Sequence, residues 1–240
     1  MSAVLYSSSG GIATLTLDRP ASRNALNLDM CEGIAASASQ AAKDSSIGLF
    51  IVRASGPVFC AGADLKEREG MGAEQVRERR GKGFAAYAAL EALPMPSVAV
   101  VEGPAIGSGC EIACACDFIV ATPAASFRTP EATRGTVGAT QRLPRILGKR
   151  LAKDLMFTGR TLGAEEAKAA GLVSRLVQAS VLESELREMA KIILAAPQQS
   201  LRLAKRCIDR GVERDPAGAL AEEIAAIEEQ LAAGDWMGRK

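Results

Sequence analysis

Strand-like and helix-like stretches alternate through the first half of the chain, and no other feature of the sequence limits the fold as strongly. Residues Gly11 to Leu17 alternate with the period of two that is typical of a β-strand. Asn27 can cap a following helix, in which apolar side chains recur at helical spacing. Buried strands are predicted next at residues 48–52 and 97–101. The alternation predicts an α/β fold, in which strand-plus-helix units repeat to about residue 120.

A charged stretch from Lys66 to Gly83 separates two of these predicted strands. It is rich in Glu, Arg, Lys and Gly, and such a segment can form a mobile lid over a pocket. The alternative is an ordinary solvated helix, which the composition alone favours.

The chain becomes mainly helical from Arg145 onward, and its last helix is predicted to begin at Asp215 and to end at Gly234. One apolar stripe runs along that helix: Leu220, Ile224, Ile227 and Leu231. Such a stripe must be buried, either against the chain itself or against a neighbouring subunit. We therefore expect a core of residues 1–190 and a helical C-terminal region of residues 191–240.

The composition restricts the available chemistry. The 240 residues include no histidine, which removes Ser-His and Cys-His dyads and leaves carboxylates, lysines, tyrosines and backbone N–H groups. A net charge of +1 without a basic run gives little support for binding to nucleic acid or membrane. The six cysteines are scattered, and no secretory signal precedes them, so we expect reduced thiols in a cytoplasmic protein. No apolar run approaches the roughly 20 residues needed to span a bilayer.

Glu111 is the most unusual residue of a largely apolar stretch that follows Gly107-Ser108-Gly109. Burying a carboxylate is costly, so Glu111 is expected to be paired, to be protonated for part of its working life, or to face a cavity. The turn before it can present free backbone N–H groups, which would stabilise a developing negative charge. This layout is typical of an oxyanion hole beside a general acid or base. The alternative is that Glu111 is merely the buried partner of an arginine.

Four stretches of the chain carry a family resemblance. They are Leu17-Asp18-Arg19-Pro20 with Asn24-Ala25-Leu26-Asn27; Phe59-Cys60-Ala61-Gly62-Ala63-Asp64-Leu65-Lys66; Gly103 through Glu111; and Pro130-Glu131 with Thr140-Gln141-Arg142-Leu143. Any one motif is weak, but the set in this order resembles the enoyl-CoA hydratase/isomerase (crotonase) family, from about residue 3 to 205. The resemblance implies a crotonase-like spiral of ββα units, and a helical C-terminal part that builds trimers, commonly paired as hexamers.

The resemblance also implies an acyl-CoA ligand, whose thioester carbonyl lies between two backbone N–H donors. These donors fall on Ala63 and Ser108, and the family's two catalytic glutamates fall on Glu111 and Glu131. Six positions fall where the family lines the pantetheine and adenosine part of the ligand: Arg23, Ala25, Ala61, Asp64, Leu65 and Lys66. No metal and no separate cofactor is implied, because CoA is part of the substrate.

The implied reaction is the addition of water to a 2-enoyl-CoA thioester through an enolate, with the two glutamates as general acid and base. Family members that only move a double bond usually lack an acid at the position of Glu111, so the presence of both glutamates favours hydration. An enoyl-CoA isomerase and a catalytically degenerate acyl-CoA binder remain the alternatives. RNA binding ranks low, because residues 27–43 contain one lysine and no arginine.

Three departures from the family pattern accompany this resemblance. Ser108 stands where the family usually has glycine, so we expect strain if the turn needs dihedral angles that only glycine adopts readily. Residues 135–141 look shorter than the corresponding run of the family, which supports the acyl pocket near Glu131. The chain also stops soon after Trp236, where relatives continue, so a segment that often closes over the ligand is expected to be missing.

Overall fold

Nine strands form two sheets in the computed structural model, which describes residues 3–234. In chain order they are β1 (Val4–Ser9), β2 (Ile12–Leu17), β3 (Leu49–Ala54), β4 (Ser97–Val101), β5 (Pro104–Ile106), β6 (Phe118–Ala121), β7 (Ser126–Arg128), β8 (Leu162–Gly163) and β9 (Arg175–Leu176). Six strands form one sheet in the order β1-β2-β3-β4-β6-β9, which is parallel except for the β1-β2 hairpin. The other three form a small sheet in the order β5-β7-β8.

Eight α-helices lie in the same part of the chain. They are α1 (Leu28–Lys43), α2 (Ala73–Glu91), α3 (Ser108–Cys114), α4 (Arg142–Thr158), α5 (Ala164–Ala169), α6 (Leu182–Ala195), α7 (Gln198–Gly211) and α8 (Pro216–Ala233). Two predicted helix starts are confirmed, since Asn27 accepts a hydrogen bond from the Met30 N–H at 3.0 Å and Asp215 accepts one from the Gly218 N–H at 2.7 Å. Within residues 3–234, no helix has both the length and the apolar surface that crossing a bilayer requires.

Both faces of the central strands of the six-stranded sheet are buried. Phe50 and Val52 of β3 pack into the cluster that contains the apolar side chains of α1 and α2. Leu49 and Ile51 of the same strand point the other way and pack with side chains of α6. A parallel sheet covered on two sides needs apolar residues at every position, which explains the continuous apolar runs predicted as buried strands.

Three successive units repeat the same order of elements. Each unit has a strand in the six-stranded sheet, an extended segment in the second layer and then a helix: β3 with residues 60–63 and α2, β4-β5-α3, and β6-β7-α4. In the first unit, Cys60 forms an isolated parallel bridge with Ala105 of β5. This repetition confirms the predicted α/β spiral of ββα units, and it places the ends of the second-layer segments side by side.

Of the two alternatives for the charged segment, the structure shows a helix, which begins at Ala73. Most of its side chains are exposed, while Gly83, Ala86, Tyr87 and Leu90 form a buried face of α2. Arg79 is also buried, so the core contact of this helix extends over its C-terminal two thirds.

The C-terminal helices leave apolar surface that residues 3–234 do not cover. Helices α7 and α8 pack on each other beside a groove of about 670 Å³. The predicted stripe on α8 is about half exposed: Leu220 55%, Ile224 48%, Ile227 48% and Leu231 51%. The described part of the chain therefore does not bury this stripe. The expected boundary between the core and the C-terminal region, at residue 190, falls within α6 and stays a prediction. The expectation that a ligand-closing segment is missing after Trp236 concerns residues outside the described range.

Hydrogen bonds of Asn24 stabilise the turn that precedes α1. Asn24 is fully buried with a φ of 52°, and it accepts a hydrogen bond from the Arg19 N–H at 2.8 Å. Its amide group donates to the carbonyls of Ser55 at 2.8 Å and Val58 at 2.7 Å. These bonds join the turn to the segment that leads from β3 into the second layer.

Replacing Asn24 with Ala is expected to lower the free energy of unfolding by about 2–4 kcal/mol, because the carbonyls of the half-buried residues Ser55 and Val58 lose their donor. Denaturant titration followed by circular dichroism measures this loss. Asn27→Ala is the matched control, since it removes a helix cap at about 1 kcal/mol and leaves no carbonyl without its donor. Equal losses for the two variants would contradict the assigned role of Asn24.

Candidate active site

The parallel pairing of β5 with β7 brings two predicted site segments together. Ile106 at the end of β5 lies opposite Arg128 at the end of β7, and the Gly107 N–H donates to the Arg128 carbonyl at 2.8 Å. The chain continues from these ends into Ser108 on one side and Glu131 on the other. Because parallel strands end at the same edge of a sheet, the Glu131 carboxyl group lies directly against Gly107.

Gly107 provides both the room and the backbone angle for this contact. Its φ is 52° and its ψ is −109°, and a β-carbon at this position would overlap Oε1 of Glu131. Ser108 begins α3 and has no positive φ, so the strain expected at Ser108 is wrong, because the unusual angle falls on Gly107. The Ser108 side chain instead lies near the Tyr87 hydroxyl, where it opposes the rise that burial causes in the pKa of Tyr87.

Two main-chain N–H groups are free near this edge. Ser108 is the first residue of α3, so its N–H has no acceptor within the helix. On either side of Ala63, the Leu26 N–H donates to the Gly62 carbonyl at 2.7 Å and the Asp64 N–H donates to the Leu26 carbonyl at 2.9 Å. This pairing turns the Ala63 N–H away from Leu26. Among the residues that the structure describes, neither of the two N–H groups donates a hydrogen bond.

Glu111 is buried on α3 and is paired with an arginine. Its side chain is 9% exposed, and Nη1 of Arg142 donates to its Oε2 at 2.9 Å. Burial raises the pKa of Glu111, the charge and hydrogen bond of Arg142 oppose this rise, and the charge of Glu91 adds to it. The two alternatives that the sequence left open are therefore compatible, because Glu111 is the partner of an arginine and also stands in the first turn of the helix that begins at Ser108.

Glu131 has no comparable partner. Its Oε2 is buried and lacks a hydrogen-bond donor within residues 3–234. Burial raises the pKa of Glu131, and the negative charge of Glu111 adds to the rise. A buried carboxyl oxygen without a donor is costly, so this atom is suited to a water molecule or a substrate group.

The loop before α4 wraps around Glu131. The Thr136 N–H donates to the Glu131 carbonyl at 2.9 Å, and a β-carbon at Gly138 would lie 3.0 Å from Cγ of Glu131. Arg80 of α2 donates to the Thr136 hydroxyl at 2.5 Å and to the Val137 carbonyl at 3.0 Å. The loop predicted to be short therefore still encloses this glutamate, and it is attached to α2.

The six positions predicted to line the ligand lie on the segment that contains Ala63, whose N–H group is free, and on the turn beside it. Arg23, Leu65 and Lys66 are exposed, while Ala25 and Ala61 are half-buried. The Ala61 N–H donates to the Arg23 carbonyl at 3.0 Å, which joins the two parts of this surface. Contact of these five residues with a ligand stays a prediction.

Asp64, the sixth of these positions, is occupied by contacts within the protein. Its carboxylate accepts hydrogen bonds from Arg19 Nη1 at 2.9 Å and from the Lys66 N–H at 3.1 Å. Burial opposes ionisation, but the hydrogen bonds from Arg19 and the backbone lower the pKa of Asp64 overall. The structure therefore gives Asp64 a part in fixing this turn, and its contact with a ligand stays a prediction.

Three residues around Glu111 were not predicted as site residues. Arg142 donates through Nε and Nη2 to the two carboxylate oxygens of Glu91, each at 2.6 Å, and its guanidinium lies 5.4 Å from the centre of the Tyr87 ring. Glu91 and Tyr87 belong to α2 and Arg142 to α4, so no local spacing connects them with Glu111. The only sequence signal was that Arg142 stands within one of the family-like motifs.

The assembled groups suit chemistry at a carbonyl that is coupled to proton transfer. Two free N–H groups can stabilise a negative oxygen, and two carboxyl groups with raised pKa values can accept and donate protons. Within residues 3–234, no three Asp, Glu, Cys or His side chains are grouped so that they could hold a metal ion.

Known proteins resemble this chain over nearly its whole length. A family model described as enoyl-CoA hydratase/isomerase matches residues 7–235. A probable enoyl-CoA hydratase 2, mitochondrial, of Arabidopsis thaliana is 36% identical over 231 residues, which are 95% of this chain and 77% of that protein. A crotonyl-CoA hydratase of Syntrophomonas wolfei is 36% identical over 220 residues, 90% of this chain and 85% of that protein. A crystal structure of enoyl-CoA hydratase from Bacillus anthracis has a TM-score of 0.91 and 35% identity, and covers 94% of this chain and 90% of that one.

Proposed function

Because this chain belongs to the enoyl-CoA hydratase/isomerase family, we propose that it adds water across the double bond of a 2-enoyl-CoA thioester. One observation carries the proposal. The Glu131 carboxyl group lies against Gly107, directly before the free N–H group of Ser108, and Glu111 lies in the first turn of α3, close enough for its charge to act on Glu131. Hydration needs both a base and an acid next to a polarised carbonyl, which is what this arrangement supplies.

The thioester oxygen is the group that the two N–H donors would hold. Attack of water on the β-carbon moves electrons onto this oxygen, and the resulting enolate is stabilised by the N–H groups of Ala63 and Ser108. Removing one donor of this kind typically lowers kcat by about 10²–10³-fold. The two donors belong to the main chain, so they are already in place before the reaction begins.

The two glutamates would divide the proton transfers. The Arg142 guanidinium favours the ionised form of Glu111, which suits Glu111 to accept a proton from water as the oxygen bonds to the β-carbon. Glu131 has a raised pKa and no paired cation, which suits it to donate a proton to the α-carbon. The reaction consumes one water, and proton exchange returns both carboxyl groups to their starting forms.

Crotonyl-CoA is the first substrate to test, since a relative of this chain is named crotonyl-CoA hydratase. We expect loss of the absorbance of the conjugated enoyl thioester, with formation of the 3-hydroxyacyl product. Conversion of a 3-enoyl-CoA without hydration of any 2-enoyl-CoA would instead identify the isomerase. Binding of butyryl-CoA with no turnover of either class would identify a catalytically degenerate acyl-CoA binder.

The proposal extends to the state of the protein in solution. No cofactor is required beyond the CoA moiety of the substrate. The half-exposed stripe on α8 supports assembly into a homotrimer or hexamer. A cytoplasmic location is also part of the proposal, although the name of the A. thaliana relative places that protein in mitochondria.

A further inference from the structure

We propose that Arg142 is a positioning residue for Glu111, and that Glu91 and the Tyr87 ring fix the guanidinium from the opposite side. This inference rests on the proposed function, because it explains how one of the two glutamates is kept in its working form. It assigns a role to residues of α2 and α4 that neither belong to the pair of glutamates nor carry the free N–H groups.

The donor geometry of Arg142 divides its contacts between two carboxylates. Nε and Nη2 donate to the two oxygens of Glu91, each at 2.6 Å, and the remaining edge donates through Nη1 to Oε2 of Glu111 at 2.9 Å. A bidentate pair fixes the plane of a guanidinium, because two parallel hydrogen bonds allow little rotation. The direction in which Nη1 points is therefore set by Glu91.

The Tyr87 ring supports the same orientation. The guanidinium carbon lies 5.4 Å from the ring centre, within the range of a cation–π contact. Tyr87 lies one turn before Glu91 on α2, so one helix provides both contacts. The Tyr87 hydroxyl also lies near the Ser108 side chain, so α2 contacts the start of α3 as well.

The contact leaves one oxygen of Glu111 for the reaction. Oε2 takes the hydrogen bond from Arg142, while Oε1 receives no hydrogen bond within residues 3–234. An arginine that holds one carboxylate oxygen fixes the plane of the carboxylate and directs the other oxygen. Without Arg142, Glu111 would be a buried carboxyl with no cation beside it, and burial would favour its protonated form.

The charged and titratable groups around Glu111 come from four segments. They are Arg142 on α4, Glu91 and Tyr87 on α2, Cys114 on α3 and Glu131 after β7. Arg142 is the only cation in this set, and the charge of Glu91 acts on Glu111 in the opposite direction. Removing Arg142 and removing the charge of Glu91 should therefore move the pKa of Glu111 in opposite directions.

The test compares the wild type with Arg142→Gln, Arg142→Lys and Glu91→Gln. In Arg142→Gln we expect the acid limb of the kcat/KM profile to move about one pH unit upward, because the pKa of Glu111 rises when its cation is lost. We expect kcat at the pH optimum to fall about 100-fold, because the carboxylate is no longer held in one orientation. Arg142→Lys keeps the charge but not the planar set of donors that a guanidinium has. Its acid limb should therefore lie near that of the wild type, while kcat stays low.

Glu91→Gln should move the acid limb downward and also lower kcat, since the negative charge and the anchor of Arg142 are lost together. Arg145→Gln is the matched control on the same helix, because Arg145 pairs at the surface with Glu213. This control should leave both the profile and kcat unchanged. Circular dichroism establishes that each variant is folded.

A second measurement separates this inference from the proposed function. Titration of the carboxyl ¹³C resonance of Glu111, assigned through Glu111→Gln, reports its pKa whether or not the protein turns over crotonyl-CoA. Absence of wild-type turnover would overturn the proposed hydration, while the NMR titration would still decide the role of Arg142. An unchanged pKa of Glu111 in folded Arg142→Gln, or shifts of the same sign in Arg142→Gln and Glu91→Gln, would overturn the inference.

Discussion

Replacing Glu131 with Gln is expected to lower kcat for crotonyl-CoA hydration by about 10³-fold, with binding of a saturated acyl-CoA preserved. Glutamine keeps the shape of the side chain but cannot deliver a proton, and general acid–base catalysis by one group accounts for about 10²–10⁴-fold. Glu111→Gln should cause a loss of the same order. Steady-state kinetics give kcat, and calorimetric titration with butyryl-CoA gives the binding constant.

Stability provides an independent check on the same variant. Burial raises the pKa of Glu131, so the folded protein disfavours the ionised carboxylate. Above the folded pKa the ionised group therefore reduces stability, and this contribution is absent below the unfolded pKa. Glu131→Gln should melt at neutral pH no lower than the wild type, although it is nearly inactive.

Glu74→Gln is the matched control, because Glu74 is an exposed glutamate that pairs with Arg77 on the surface of α2. Its kcat should equal that of the wild type. A Glu131→Gln protein that retains more than about a tenth of wild-type kcat would remove Glu131 from the proposed proton transfers.

The second large effect is expected from Gly107→Ala. Alanine at a φ of 52° and a ψ of −109° lies in a sparsely populated region and is strained by about 1–3 kcal/mol. Its β-carbon would also overlap Oε1 of Glu131, so the carboxyl group must move. Displacing a reacting group by about 1 Å can lower the rate about 100-fold, and we expect a loss of kcat of that size. The added strain should also lower the melting temperature.

Gly171→Ala separates these two causes. Gly171 has a φ of 84°, and a β-carbon there would meet no atom within 4 Å. It should therefore lose stability by a similar amount and keep its kcat. If Gly107→Ala kept the wild-type kcat, the position of the Glu131 carboxyl group beside Gly107 would not be required for the reaction.

The main elements of the core were predictable because their patterns are local. The strand at β2 shows its period of two, the strands β3 and β4 are continuous apolar runs, and Asn27 and Asp215 cap their helices as predicted. The strands β5 and β7 were not predicted, since three residues each are too few to show a period. Their pairing, however, is what brings Gly107 and Glu131 together.

The individual site residues could be predicted from the sequence, but the contacts between them could not. The motifs pointed to Glu111, Glu131, Ala63 and Ser108, and the structure places these residues on neighbouring segments. Arg142 was not predicted as the partner of Glu111, because their pairing depends on the packing of three helices. The strain expected at Ser108 was wrong for a related reason, since the positive φ belongs to the preceding glycine.

The backbone N–H groups and the glutamate side chains of this site differ in how easily a mutation can remove them. The N–H groups of Ala63 and Ser108 are part of the main chain, and almost any residue at these positions retains them. The two glutamates are side chains, and a single base change can remove either. Mutation can therefore remove the proposed acid and base groups more easily than it can remove the two N–H groups. If the proposed function holds, a descendant of this chain could acquire a different reaction while the same two N–H groups still bind the carbonyl oxygen of its substrate.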